Sequence, residues 1–198
     1  TSSGTWTKPT GIKTIKVTVI GAGGSGAYVS GAYNGGGQGG HAGGASIKTI
    51  DVTSISSETV TIGSGGGNRP SSAAYVNSSE AGASGGTSSF GSHCSATGGT
   101  GGAVGQTAYI NQYSSSGTGS GGDINLRGGS GGPPGRIQNY SQSGYGGNSP
   151  LYGIVRSATT GSNGHTWTTN SYGSGSPGAI TGGTGDGSPG LVIVEEYK

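Results

Sequence analysis

Glycine restricts the fold of this chain more than any other feature, because 50 of its 198 residues are glycine. The glycines lie in tracts, and many recur three residues apart, as do Gly129, Gly132 and Gly135. Three residues per turn is the repeat of the polyproline II helix, whose backbone makes no internal hydrogen bonds. Each interior glycine costs an α-helix about 1 kcal/mol relative to alanine. The tracts therefore predict polyglycine II helices and essentially no α-helix.

The remaining composition bears on whether these tracts are ordered. Only 27% of the residues are hydrophobic, which rules out a large apolar core, yet only 8% are charged, whereas disordered chains are typically rich in charge. Ordering the backbone costs about 1–2 kcal/mol per residue, so glycine helices need a cooperative array of hydrogen bonds between them. A flexible linker is the alternative. Aromatic residues interrupt the tracts, and this favours the ordered array.

Four segments are rich in β-branched residues or alternate between apolar and polar residues, which predicts β-strands. They are Ile12–Ile20, Ser46–Thr53, Thr59–Ile62 and Leu191–Val194. We expect the second and third to be joined by a short polar turn at Ser56 and Ser57. We expect all four in one small antiparallel sheet that brings both termini to the same end. The prediction is a single all-β or irregular domain over residues 1–198.

Five glycine-poor segments separate the tracts, and nine of the ten tyrosines lie in them or at their edges. If the tracts are rods, the chain turns in these segments. We therefore expect them to form loops at the distal end of the array, with the chain termini at the opposite, stalk end. The segments are Ala27–Asn34, Asn68–Glu80, Gln106–Ser116, Arg136–Ser143 and Ser149–Tyr172.

One motif imitates a dinucleotide-binding site. The strand that ends at Ile20 is followed by Gly21, Gly23 and Gly26 in a G-x-G-x-x-G pattern. Such a site needs a helix whose N-terminus binds the pyrophosphate, and an acidic residue about 20 positions later. The residues that follow are saturated with glycine, and Asp51 lies thirty residues beyond Gly21. We therefore expect no dinucleotide site and no cofactor.

Catalytic chemistry has weak support. The chain has 7 carboxylates, and glycoside hydrolysis needs two that converge across a sugar. Asp51 and Glu58 flank a turn, where solvated polar residues are ordinary. Glu195 and Glu196 are adjacent in a strand and would point to opposite faces. We expect a protein that is not an enzyme, with polysaccharide cleavage as the remaining catalytic alternative.

Metal, nucleic-acid and membrane binding also lack their signals. The possible metal ligands have no C-x-x-C or H-x3-H spacing; they are His41, His93, Cys94 and His165. The net charge is +2, and a single Arg-Gly-Gly at Arg127 gives little support to RNA binding. No stretch approaches the ~20 apolar residues of a membrane span. Because position 1 is not methionine, we expect a processed product or a part of a longer protein.

The glycine-poor segments have the composition of a contact surface. Their mixture of Tyr, Ser, Asn and Gly is typical of antibody-like binding loops, because tyrosine offers a large rigid contact area at small entropic cost. We expect three or four tyrosines to pack as a small core instead. The residues predicted to contact a receptor are Tyr109, Tyr113, Tyr140, Tyr145, Tyr152, His165, Trp167 and Tyr172.

The order of several short motifs resembles the glycine-rich C-terminal domain of bacteriophage tail-fibre proteins over essentially the whole chain. The opening Ser3–Pro9 leads into Ile15–Gly24, and the closing Gly187–Tyr197 resembles that family's last strand. Matches between them are Ala45–Val52, Ser88–Gly91, Ala96–Gly99 and Gly121–Gly129. The long segment Ser149–Tyr172 and the glycine-poor residues 107–118 depart from the family pattern.

The resemblance implies a tail-fibre tip built as a sandwich of polyglycine II helices. Its expected partners are a host outer-membrane protein or surface glycan at the tip, and the fibre shaft or an adjoining domain at the stalk. Its expected location is the extracellular end of a virion fibre, and by analogy with three-stranded shafts it is a possible homotrimer. The main alternative is a structural module, phage or bacterial, that caps or assembles fibres.

Overall fold

The computed structural model describes residues 2–29, 36–68, 79–104, 115–137, 140–152, 171–179 and 184–198. These residues form thirteen β-strands and no α-helix, and most of the others run in extended glycine-rich segments. The predicted all-β fold class is confirmed. Among the described residues, no helix is long and apolar enough to span a membrane.

Two antiparallel sheets contain nine of these strands. The bounds are β1 Gly4–Thr7, β2 Thr14–Ile20, β4 Ala45–Asp51, β5 Ser57–Thr61, β7 Ser88–Phe90, β8 Cys94–Ala96, β9 Gly119–Ser120, β10 Ile124–Leu126 and β13 Leu191–Tyr197. One sheet has the order β10-β4-β2-β13, and the other has the order β1-β5-β7-β8-β9. Two short pairs complete the set: β3 Tyr28–Val29 with β6 Ser79–Glu80, and β11 Gly135–Ile137 with β12 Tyr140–Gln142.

The apolar core lies between the two large sheets. Alternation along β2 places Ile15, Val17 and Val19 on the inner face, where all three are fully buried. Phe90 of the five-stranded sheet is buried in the same cluster, and Trp6 packs against it with ring centroids 5.7 Å apart. Full burial of such side chains stabilises the fold by about 1.5–3 kcal/mol each. The few large apolar residues are therefore concentrated in this sandwich.

The strand predicted over Thr59–Ile62 lies in the second sheet instead of the first. β4 belongs to the four-stranded sheet and β5 to the five-stranded sheet, so the predicted single sheet is two. Val52 is fully buried between β4 and β5, and Ile55 packs against the same core. Burying these two apolar side chains carries the chain from one sheet to the other. The polar residues Ser56 and Ser57 predict a turn, but they do not indicate that the chain passes from one sheet to the other there.

Ten extended segments of the described chain form a polyglycine array next to the sandwich. We name them PG1 to PG10 in chain order. Their ranges are 21–27, 36–44, 62–68, 81–87, 97–103, 115–118, 127–134, 143–149, 171–178 and 184–190. Most of them run directly into a strand, so the array and the sheets are continuous along the backbone.

The hydrogen bonds of the array repeat every third residue, as polyglycine II geometry requires. Every third N–H of PG1 donates to PG2: Gly21 to Gly44 O, Gly24 to His41 O and Ala27 to Gln38 O, at 2.9–3.0 Å. The intervening N–H groups donate to other helices, for example Ala22 to Gly86 O at 3.1 Å and Gly23 to Ser188 O at 2.9 Å. The predicted polyglycine II helices are therefore present.

The hydrogen-bond partners define a hexagonal arrangement of the described helices in three layers. The layers are PG4-PG5-PG6, PG3-PG1-PG2-PG7 and PG10-PG9-PG8. PG1 bonds to PG2, PG3, PG4, PG5, PG9 and PG10, while PG2 bonds to PG1, PG5, PG6, PG7, PG8 and PG9. Both central helices thus use all of their faces, and the eight outer helices surround them.

Glycine is required in the array because the backbones approach too closely for a side chain. A Cβ at Gly24 would collide with the carbonyl of Thr100, and one at Gly40 would collide with the carbonyl of Gly24. These neighbours are backbone atoms of packed helices and cannot rotate away. At Gly67, on the array's edge, no described atom lies within 4 Å of the same position.

The array has a sheet end, where the helices meet the sandwich, and a far end. At the far end β3 pairs with β6, and Tyr28 bridges to Ala179. Four predicted loop segments leave the array there, which agrees with the prediction. Ser149–Tyr172 does not, because Gly173 N–H donates to Pro189 O and Gly43 N–H to Gly173 O, both next to strand ends. Residues 149–152 and 171–173 therefore lie at the sheet end.

The described ends of the chain lie at different levels of the sandwich, not at the same end. β1 runs antiparallel to β5, with Gly4 opposite Val60, and Ile62 N–H donates to Ser3 Oγ at 2.9 Å where PG3 begins. Tyr197 lies at the opposite end of the sheets, where its carbonyl accepts from Lys13 N–H. The expectation that both termini lie at the same end of the sheet is corrected, because the added strand β1 reverses the direction of the chain's start. Both described ends still belong to the sandwich, opposite the far end of the array.

Candidate functional site

Backbone hydrogen bonds hold the far end of the array together. Val29 N–H donates to Ala179 O at 3.0 Å, Gly37 bridges to Val104, and Gly135–Ile137 pairs with Tyr140–Gln142. The chain leaves this hydrogen-bonded rim for residues 30–35, 69–78, 105–114, 138–139 and 180–183, which lie outside the described residues. The rim fixes the points at which five connecting segments begin and end.

Three predicted receptor-contact residues belong to segments that leave the rim. Tyr109 and Tyr113 lie outside the described residues. The backbone of Tyr140 pairs with Ile137 in the short β11–β12 ladder. Tyr28, which was not among the predicted residues, is only 6% exposed, so its ring serves packing at the rim.

Tyr152 and Tyr172 meet at the sheet end instead of the far end. Their rings pack edge to face with centroids 5.6 Å apart, and Ser174 Oγ donates to Tyr152 O at 3.4 Å. Tyr152 is 37% exposed. His165 and Trp167, in the segment between them, lie outside the described residues. The structure thus pairs two predicted contact residues but separates them from the rim.

Tyr145 lies on the flank of the array. It belongs to PG8, its carbonyl accepts from Gly132 N–H of PG7 at 2.7 Å, and its side chain is 50% exposed. The residues on either side of it, Gly144 and Gly146, are buried. The predicted contact residues that the structure describes are therefore spread over three regions and do not converge on one site.

Two polar side chains inside the array accept hydrogen bonds in place of backbone carbonyls, a role that was not predicted from the sequence. Gly128 N–H donates to Gly117 O at 2.9 Å, but three residues later Gly131 N–H donates to His41 Nδ1 at 3.2 Å. In the same way, Ala103 N–H donates to Gln38 Oε1 at 3.0 Å. A polar residue at three-residue spacing within a glycine tract was the available signal.

His41 is 1% exposed and accepts through Nδ1, so the neutral ring carries its proton on Nε2. Nε2 makes no hydrogen bond to any described residue. Burial, with a smaller contribution from the positive charge of Arg127, lowers the pKa of His41 below its usual value of 6.5. His41 is therefore held in the array in its neutral form.

The other chemistry-bearing side chains serve the sandwich. His93 Nε2 lies 3.0 Å from Glu58 Oε1, and Cys94 is 3% exposed with a pKa raised by burial. Among the described residues, no group of three or more His, Cys, Asp or Glu is arranged to hold a metal ion. These residues define no catalytic constellation within the described part of the chain.

The G-x-G-x-x-G motif forms part of PG1 and opens no helix. The N–H groups of Gly21 and Gly23 donate to Gly44 O and Ser188 O, and Gly26 N–H donates to Ser176 Oγ. These donors are used by the array and cannot cradle a pyrophosphate. The motif therefore lacks the helix N-terminus that a dinucleotide site uses.

One open groove lies along the side of the sandwich between β1 and β13. It encloses about 220 Å³, and its lining includes Trp6, Val60, Val192 and Val194. Trp6 Nε1–H donates to Glu196 Oε1 at 2.9 Å across the opening. β1 and β13 are the edge strands of their sheets, so this side of the sandwich is open in the described chain.

The fold and the array define a class: all-β proteins in which glycine helices hydrogen-bonded side by side replace a large apolar core. The family model described as a glycine-rich domain matches residues 1–197. The chain belongs to this glycine-rich domain family. No curated protein matches it.

Proposed function

We propose that this chain is the receptor-binding tip of a bacteriophage tail fibre, which attaches to a bacterial surface without catalysis. The observation that carries the proposal is that the chain leaves the array at its far end after Val104, before Tyr109 and Tyr113, and again after Ile137, before Tyr140. The order of motifs described above, which resembles tail-fibre domains, supports it. The family match identifies a glycine-rich domain, and it is less specific than this proposal because it names no function.

The array supplies what a binding tip needs, a stiff support. Two central helices bonded on every face restrict the points from which the far-end segments begin. Restricting a binding loop before contact lowers the entropy lost on binding, so a given contact area yields higher affinity. The receptor is either a host outer-membrane protein or a surface glycan, and the experiment below distinguishes these two classes of receptor.

The sheet end is the proposed attachment to the fibre. The groove at Trp6 and the edge strands β1 and β13 lie at this end, and edge strands can pair with a strand of another chain. The fibre shaft or an adjoining domain would contact this side, in a monomer or a trimer. The protein would then act outside the host cell, at the end of a virion fibre.

Attachment of the fluorescently labelled chain to a panel of Gram-negative strains tests the proposal. The double variant Tyr109→Ala/Tyr113→Ala should lose at least tenfold in attachment and keep its unfolding temperature. The matched control Tyr152→Ala, at the sheet end, should attach like the wild type. Protease treatment of the cells abolishes binding to a protein receptor, and periodate treatment abolishes binding to a glycan. Attachment to no strain, or equal attachment by the double variant, would refute the proposal.

A structural capping module is the second candidate, and the open side of the sandwich favours it. In that case substitutions at the groove, such as Val192→Asp, impair fibre assembly, while Tyr109 and Tyr113 variants leave both assembly and attachment unchanged. A polysaccharide-degrading enzyme ranks third, and it would release reducing sugar ends from purified surface polysaccharide. Measuring assembly, attachment and sugar release on one set of variants separates the three.

A further inference from the structure

The ring of Tyr145 lies face down on a neighbouring glycine helix. The position of a Cβ at Gly132 falls against ring atoms Cδ1 and Cε1, with Cζ 2.8 Å away. If the ring met this Cβ position edge-on, Cζ would lie much farther from it than Cδ1 and Cε1 do. The three atoms lie at similar distances instead, so the face of the ring covers Gly132. Because the side chain is still 50% exposed, its other face is open to solvent.

The backbone that carries this ring is held in place by hydrogen bonds. The Tyr145 carbonyl accepts from Gly132 N–H at 2.7 Å, and Gly144 and Gly147 on the same helix donate to Gly37 O and Gly40 O at 2.8 Å. The absence of a side chain at Gly132 creates the space for the ring. A flat aromatic face held on a hydrogen-bonded backbone loses little conformational entropy when it binds a ligand.

The described side chains at three-residue spacing on either side of the ring are polar and uncharged. Gln142 and Asn148 flank Tyr145 at a spacing of three residues, which is about 9 Å along a polyglycine II helix, and both are at least partly exposed. Gln142 Oε1 lies over Gly135 as the tyrosine ring lies over Gly132. Together they form an amide–aromatic–amide ridge that runs from the end of β12 along PG8, the flank ridge.

We propose that the flank ridge, with Tyr145 as its platform, is a binding site for a neutral polysaccharide chain that runs along the array. The C–H faces of sugar rings stack on the electron-rich face of an aromatic ring, and amide side chains exchange hydrogen bonds with hydroxyl groups. The three side chains carry no charge, which matches a neutral ligand. One exposed ring is far below the ~800 Å² per partner of a stable protein interface, so a protein occupant is disfavoured.

The flank ridge is separate from the far end, and this inference does not rest on the proposed tip function. A tip that binds its receptor through Tyr109 and Tyr113 could also carry a glycan along its side, and either activity can fail alone. The ridge would hold the fibre loosely against a sugar-coated surface, because a single stacked ring gives a weak contact.

The test is binding of the full labelled chain to an array of immobilised neutral and acidic bacterial glycans. Wild type should be retained on neutral glycans, Tyr145→Ala should bind them about tenfold more weakly, and Tyr145→Phe should bind like wild type, because it keeps the ring. Tyr197→Ala is the matched control, because Tyr197 is 47% exposed on the sandwich, away from the ridge. It should bind like wild type.

A second variant tests the mounting of the ring without touching the ridge. The added methyl group in Gly132→Ala would occupy the space of the ring, and the ring can move aside because it ends a flexible side chain. Glycan binding should fall while the unfolding temperature stays within a few degrees. Three outcomes overturn the proposal: retention on no neutral glycan, equal retention of Tyr145→Ala, or an equal loss in Tyr197→Ala. Cell attachment by Tyr109 and Tyr113 is measured separately and decides the tip function alone.

Discussion

His41 is a titratable residue in the interior of an array built almost entirely from backbone. Its Nδ1 accepts the Gly131 N–H, which an imidazolium cannot do because both of its nitrogens carry protons. Protonation would also bury a positive charge near Arg127, the charged residue that contributes to its lowered pKa. Acid is therefore expected to act on the array through this side chain.

The prediction is that the protein loses stability as pH falls below about 6.5, the unfolded pKa of histidine. The folded pKa is lower, so the unfolded state binds more protons in this range and unfolding becomes easier. The loss approaches about 1.4 kcal/mol per pH unit until the folded pKa is reached. Urea unfolding at pH 7.5 and 5.5 measures it.

His41→Gln is the control for this prediction, because glutamine accepts the same hydrogen bond and does not titrate. The variant should lose much less stability than wild type between pH 7.5 and 5.5. Equal losses in both proteins would show that His41 does not couple the array to pH.

The residue-scale roles were only partly predictable from the sequence. The residues after the G-x-G-x-x-G motif were expected to form no α-helix because they are saturated with glycine, and residues 21–27 are extended in the structure. The three-residue spacing of Gln38 and His41 marks them as unusual within a glycine tract, but it does not identify their donors, because Ala103 and Gly131 lie far away in sequence. Only packing decides which donors lack a carbonyl.

At the scale of elements, each central glycine helix depends on the closeness of its neighbours. Gly24→Ala should destabilise the protein by about 3 kcal/mol or more, because the new methyl group would collide with the backbone of PG5 and force two helices apart. Gly67→Ala is the matched control in PG3 and should change stability by less than about 0.5 kcal/mol. Chemical denaturation of both variants measures the difference. Similar values would mean that the helices are not packed at this distance.

The elements differ in how well their sequences predicted them. β2 and β13 were predictable because their apolar residues alternate or cluster over several positions. The three-residue glycine spacing predicted the helix type for the same local reason. The crossing between β4 and β5 and the short strands β7 and β8 were not predicted, because buried contacts of Val52 and Phe90 decide them. Which tracts become the two central helices also depends on contacts between distant segments.

The molecule as a whole joins the array and the sandwich without a linker. PG1 continues from β2, PG2 runs into β4, and PG10 runs into β13. We therefore predict one cooperative unfolding transition. Trp6 reports on the sandwich, and in a Trp167→Phe background its fluorescence should show the same lowered midpoint for Gly24→Ala as circular dichroism does. A sandwich that kept its midpoint while the array melted would show two independent units.

The described parts of the glycine-poor segments lie at both ends of the array, and the sequence predicted only those at the far end. Val104, which precedes the segment with Tyr109, and the backbone of Tyr140 both lie at the far end, as expected. Ser149–Tyr172 was expected there too, but Gly173 bonds beside the strand ends and brings Tyr152 and Tyr172 to the sheet end. A glycine-poor stretch shows that a tract is interrupted, and it does not show at which end.

Amide hydrogen exchange of the two central helices tests the central claim most directly, that backbone hydrogen bonds between glycine helices hold the fold together. The amides of Gly24, His41 and Ala42, each bonded to a different helix, should exchange as slowly as β2 and only through global unfolding. Gly67, at the edge of the array, should exchange faster. Exchange of residues 21–27 and 36–44 at the rate of an unstructured peptide, while β2 remains protected, would contradict the account.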